Sequence, residues 1–233
     1  MKTLSTTAVA IRQGALGAQA NYFASPGAST YFDLEALRRG EARAYSLAGC
    51  RILDTADERT AITLLQRAIA IETDQDIRRK LHCALSDADG ADAFIDYHLA
   101  DEAPLLQAAR DLGFDGLNVW ENDDAGGPTS VLLAGDAPVQ AITRAQAQIA
   151  LARQQEPDLP VPSPERGAAI EEFDARLFKT WGVGLDEEQA AMLCSSDVEH
   201  IAAALDDWEA RLGIEVDDLA HAFGVRMGHA PGA

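Results

Sequence analysis

The sequence predicts an α+β domain followed by a small all-α helical bundle, and three observations carry that expectation. Short β-rich runs stand at both ends of the first 155 residues, with helical periodicity between them. A stretch at 156–167, EPDLPVPSPERG, puts four prolines into twelve residues. Beyond it, apolar residues recur at three- and four-residue spacing. Proline removes a backbone donor and biases its predecessor to extended geometry, so neither a helix nor a central strand is expected to run through such a stretch. The expected organisation is an α+β domain over 1–155, a linker over 156–167 and an acidic helical bundle over 168–233.

Taken in order, Thr6 to Ile11 reads as a first strand, followed by a Gly/Ala/Gln loop and the apolar patch Tyr22-Phe23-Ala24. Residues 31–45 read as helix and 45–53 as strand. From Asp57 to Ala70, apolar Ala61, Ile62, Leu64, Leu65, Ala68 and Ile69 recur at helical spacing, and Asp57 suits the N-cap. Helices are also expected over 74–85 and 101–112. Two β-rich runs, Leu117–Trp120 and Thr129–Ala134, flank a turn of Asn, Asp, Gly and Pro and predict strands joined by a hairpin or loop. In the C-terminal part, Ile170, Phe173, Leu177, Phe178 and Trp181 form one helical stripe. Asp186 with Gln189 three residues on marks another helix start. Ser195 or Ser196 can cap a segment running to Gly213, and 216–223 fits a last short helix. The aromatics Phe173, Phe178, Trp181, Trp208 and Phe223 are expected to form the bundle core.

Composition bounds the function. The 233 residues are 47% hydrophobic and 24% charged, which is ordinary for a folded globular protein and unlike a disordered chain. The formal net charge is −19, and the net negative charge per residue more than doubles beyond the proline-rich stretch. Such acidity argues against direct binding to a phosphate backbone, which needs clustered Lys and Arg. No run approaches the ~20 apolar residues of a membrane span, so no membrane partner and a cytoplasmic location are expected. Three widely spaced cysteines suggest neither a disulfide framework nor a zinc site, and the five histidines show no metal-ligand spacing. Gly126-Gly127-Pro128 reads as a turn, because no Lys-Ser/Thr follows to complete a phosphate loop.

Glu121 stands just after the run LNVW and before the loop NDDAGG. A strand end would hold its carboxylate while the loop leaves room for a ligand. There it can hydrogen-bond a ribose hydroxyl or stabilise an oxocarbenium-like centre as a leaving group departs. Pattern alone favours the blander reading, an exposed strand-end acid in an acidic chain.

A resemblance changes that weighting. The run ARDLGFDGLNVWENDDAGGPTSVLLAG resembles the closing segment of the ADP-ribosyltransferase fold, in which a helix and "lGyDgv" lead into a strand, a loop and a second strand. AIRQGALGAQANYFASPGAS is similar to the turn and strand that follow the fold's first strand, and AYSLAGCRILDTAD resembles the strand after that. The pieces occur in the family's order, over residues 1 to about 142. Spacing and ending resemble the phage anti-CRISPR mono-ADP-ribosyltransferases, which modify a component of the host's defence complex. The resemblance implies a split sheet, NAD as substrate, a protein target and Glu121 as catalytic acid. It also implies NAD contacts from a His or Arg on the first strand and an aromatic or Ser on the second. Where the family has "HG(S/T)", this chain has Ser5-Thr6-Thr7, with Arg12 as the alternative cation; Tyr22, Phe23 and Ser25 match the second element.

Two functions follow. One is NAD-dependent mono-ADP-ribosyl transfer to a protein, with the helical bundle recruiting the target. The other is an inactive scaffold of the same shape whose acidic surface docks on a basic, nucleic-acid-binding protein, an association that charge would steer and salt would weaken.

Overall fold

The computed structural model describes residues 1–4, 9–24, 36–37, 39–88, 95–121 and 129–195. It is a mixed α+β structure with a seven-stranded sheet and, among the described residues, seven helices of six residues or more. By its contacts the chain divides into two units, Met1–Leu34 with Ala42–Ala141, and Glu35–Glu41 with Ile142–Ala233.

The first unit holds strands β1 (Ala10–Gln13), β2 (Ala20–Ala24), β3 (Ala42–Ser46) and β4 (Ile52–Leu53). Helices α1 (Glu58–Ile71), α2 (Gln75–Ala88), α3 (Tyr97–Glu102) and α4 (Leu105–Asp111) follow, then β5 (Gly116–Val119) and β6 (Ser130–Ala134); the short β7 (Gln140–Ile142) spans the division at Ala141/Ile142. The sheet order is β4-β5-β6-β2-β1-β3-β7. β4 and β5 run parallel, whereas β5–β6, β6–β2, β2–β1 and β1–β3 are antiparallel.

Alternation along β6 explains why both faces of the sheet are covered. Leu132 joins Leu117, Val119 and the buried sides of α1 and α4 in one core, while Val131 and Leu133 point the other way, into a second core with Phe23, Tyr45 and Ile52. A strand buried on both faces reads as a continuous apolar run, which is what SVLLA is. Asp57 caps α1 as the sequence predicts, accepting from the Thr60 amide at 3.0 Å. Those Thr60 hydrogen bonds hold its carboxyl below the ordinary value. The entry to β5 is fixed by a buried polar network. The Thr55 amide donates to Asn118 Oδ1 at 2.6 Å, and Asn118 Nδ2 donates to Asp54, which pairs with Lys2 at 2.8 Å.

Several expected elements differ. The helix expected over 31–45 gives way to strand β3 from Ala42. Gly40 sits at φ 73°, and the Glu41 amide reaches back to the Ala36 carbonyl at 2.8 Å, a left-handed stop to the preceding turn. Exposed Arg43 between buried Ala42 and Ala44 then gives the two-residue alternation of a strand. The 45–53 strand is interrupted after Ser46, and Gly49 turns the chain at φ 92° before β4. The single helix expected over 101–112 is two, because Pro104 forces Ala103 into extended geometry (ψ 156°) and ends α3.

The second unit contains α5 (Arg144–Gln155), α6 (Pro164–Trp181) and α7 (Glu187–Cys194). Its core gathers Ala145, Ile149, Ile170, Phe173, Leu177, Leu185 and Leu193. Inside it Arg144 pairs with Asp174 at 2.9 Å and stacks on Phe178 at 4.2 Å. The contact division at Ala141/Ile142 lies ahead of the expected one at 155, because α5 packs its buried face on α6 and α7. The expected linker is shorter too: Pro164 takes the first helical position behind the Ser163 cap, so 164–167 are helical. Phe173 is core as expected and Phe178 half-buried. The helices expected beyond Ser195, with Trp208 and Phe223, lie outside the described residues.

Candidate functional site

β1 and β2 pair at one position, Ile11 with Ala24, whereas β2 and β6 pair along all of Ala20–Ala24. Past Ile11 the two strands part, and the Arg12 side chain takes over from the missing ladder. Its Nη1 donates to the Tyr22 carbonyl at 2.8 Å, and Nε and Nη2 donate to the Ala15 carbonyl at 3.3 and 3.2 Å. A cavity of about 290 Å³ opens at this parting, with Arg12, Tyr22, Tyr97, Asp101, Glu121 and Ser130 among its walls.

The local sequence explains how each side chain gets there. Val119 pairs with Ser130, and Trp120 is pinned by its amide to the Ile95 carbonyl (2.9 Å) and by its carbonyl to the Tyr97 amide (3.0 Å). Glu121, the next residue, is thereby delivered half-buried to the cavity wall, where it accepts a hydrogen bond from the Ser130 hydroxyl. Asp96 caps α3 through the Leu99 amide at 2.7 Å. A helix starting at Tyr97 puts Tyr97 and Asp101, four residues apart, on one face. The Tyr22 phenol donates to Asp101 Oδ1 at 2.7 Å. Burial, reinforced by that carboxylate, pushes the phenol far above its ordinary pKa, so it stays a neutral donor.

The sequence-derived residues divide into three groups. Arg12, Tyr22 and Glu121 meet at the cavity. Phe23 also touches it, but its ring is 1% exposed and packs edge-on against Tyr45 at 5.4 Å, so it is wall and core rather than a stacking surface. Ser5, Thr6 and Ser25 lie outside the described residues. Tyr97, Asp101 and Ser130 were not anticipated. The i, i+4 spacing of the first two was visible only if α3 began at Tyr97, and Ser130 is singled out by the register opposite Val119. Comparison with protein-family models, with curated proteins and with solved structures finds no match to this chain.

No group of His, Cys, Asp and Glu suited to a metal ion occurs among the described residues. Burial pushes the thiols of Cys50 and Cys194 up to about 11, as expected of small core side chains. No helix among the described residues is long and apolar enough to cross a membrane.

Proposed function

We propose that this chain is an NAD-dependent mono-ADP-ribosyltransferase acting on a protein partner, with an ADP-ribosyltransferase-like split sheet as its scaffold. One observation carries the reading: Arg12, Tyr22 and Glu121, drawn from three different strands or strand ends, line a single cavity at the parting of β1 and β2. These are the cation, the aromatic and the acid that the resemblance calls for. The cavity sits at the lower end of the roughly 300–1,000 Å³ of small-molecule sites, a size suited to one sugar with its base.

In this reading the bond between ribose C1′ and the nicotinamide nitrogen breaks, the electron pair leaves with nicotinamide, and positive charge develops on the sugar. The Glu121 carboxylate, oriented by Ser130, stabilises that charge through a ribose hydroxyl. The Tyr22 ring packs against the departing base. Arg12 has three N–H groups on backbone carbonyls and two more to offer a phosphate. A side chain of the target then attacks C1′ and loses a proton. The resemblance extends the proposal to a phage or mobile-element effector directed at host defence.

The second reading, an inactive acidic scaffold docking on a basic partner, is favoured by the charge of −19 and by Ser5-Thr6-Thr7 at the family's histidine position. Nicotinamide release and calorimetric titration with NAD separate the two. The transferase reading expects NAD binding, nicotinamide release, and a fall of roughly 10²–10³-fold in release for Glu121→Gln with an unchanged circular dichroism spectrum. No heat and no nicotinamide from the wild-type chain would leave only the scaffold, whose partner binding would weaken sharply with salt.

A further inference from the structure

We propose that the mouth of this cavity, formed by Tyr97 and Asp101 on α3 and by Glu121 at the end of β5, is a binding site for an arginine side chain of the partner protein. The inference deepens the transferase reading, on which it rests for the role of that arginine as acceptor. The binding itself follows from the geometry of the mouth.

Three features point to a guanidinium. Tyr97 is 38% exposed although its ring lies against that of His98 (centroids 3.9 Å), and one turn of helix sets it beside Asp101 at the cavity wall. The Asp101 carboxylate is exposed and, among the described residues, has no cationic partner and accepts a side-chain hydrogen bond only from the neutral Tyr22 phenol. A carboxylate offers about four lone-pair positions, so this bond leaves room for a forked donor. Glu121 supplies a second negative charge on the same wall. A planar cation that lies against an aromatic face and forks onto a carboxylate fits this arrangement better than a compact, strongly hydrated ammonium. The internal cation Arg12 makes no hydrogen bond or ion pair to Asp101; its guanidinium is held on the Tyr22 and Ala15 carbonyls instead.

The test is a pair of titrations, followed by NMR shifts on the intact chain, with N-acetyl-arginine methyl ester and N-acetyl-lysine methyl ester as probes of equal charge. The expected result is arginine binding at least fivefold tighter than lysine binding. Asp101→Asn keeps an acceptor for the Tyr22 phenol and is expected to lower arginine affinity about tenfold. Tyr97→Ser, at an exposed position that leaves the core untouched, is expected to lower it about threefold. Equal affinity for the two esters, or arginine binding unaffected in both variants, overturns the proposal. Because neither titration uses NAD, arginine binding without nicotinamide release would sink the transferase reading while leaving this site standing. Nicotinamide release without preferential arginine binding would do the reverse.

Discussion

The hydroxyl of Ser130 donates to Glu121 and helps set the direction in which the carboxylate points. For Ser130→Ala, kcat for nicotinamide release should fall about tenfold with an unchanged circular dichroism spectrum, because the carboxylate loses a positioning contact. Ser130→Thr, which keeps a hydroxyl, should restore the rate. An unchanged kcat in Ser130→Ala would show that the serine merely fills space. At this scale a residue's position was legible where it follows from its neighbours in the chain: Glu121 follows the expected strand, Tyr22 sits in its apolar patch, and both line the cavity, while the role proposed for Glu121 comes from the resemblance. Asp101 and Ser130 were not legible, because their roles come from partners brought up by the fold; Asp101 meets Tyr22 across 79 positions of sequence.

Elements with capping residues and a clean apolar stripe were readable in advance, α1 and α7 most clearly. Helix α5 was missed although Thr143 and Gln146 form a full capping box. Its buried residues Ala145, Ala147, Gln148, Ile149, Leu151 and Ala152 surround most of the helix, so no single stripe stands out. β3 was misread because an alanine-rich sequence carries helical propensity that sheet pairing with β1 overrides. β5 shows the opposite case, a strand whose placement depends on one missing atom. A Cβ on Gly116 would overlap the Leu132 carbonyl on β6 and come within 2.7 Å of Leu133 Cδ2. Since β5 lies between β4 and β6 and leads directly to Glu121, Gly116→Ala must move backbone. It should cost about 1–3 kcal/mol in urea denaturation and reduce nicotinamide release as well. A variant of wild-type stability would mean that β5 and β6 are not paired in this register.

The whole molecule distributes its three thiols so that each reports on a different part of it. Cys83 is exposed on α2, Cys50 is buried in the first unit, and Cys194 is buried in the second. At pH 8 an aromatic disulfide reagent should therefore titrate one thiol promptly in the native chain and three in denaturant. Cys50 and Cys194 should react only as fast as their surroundings open. The same burial has a consequence in alkali. Both buried thiols are held protonated in the folded chain up to about pH 11, against an ordinary value of 9.0, so from pH 9 upward the unfolded chain binds fewer protons than the folded one. Stability contributed by the neutral thiols is complete below pH 9 and is lost as pH rises towards 11. The urea midpoint should fall across that window, and the fall should be shallower when Cys50 and Cys194 are both replaced by alanine. Mass spectrometry of the labelled peptides assigns each slow thiol to its unit. Prompt labelling of Cys50 alongside Cys83 would mean that the core beneath β3, with Phe23, Tyr45 and Val131, is not closed, and the cavity wall that Phe23 supports would fall with it.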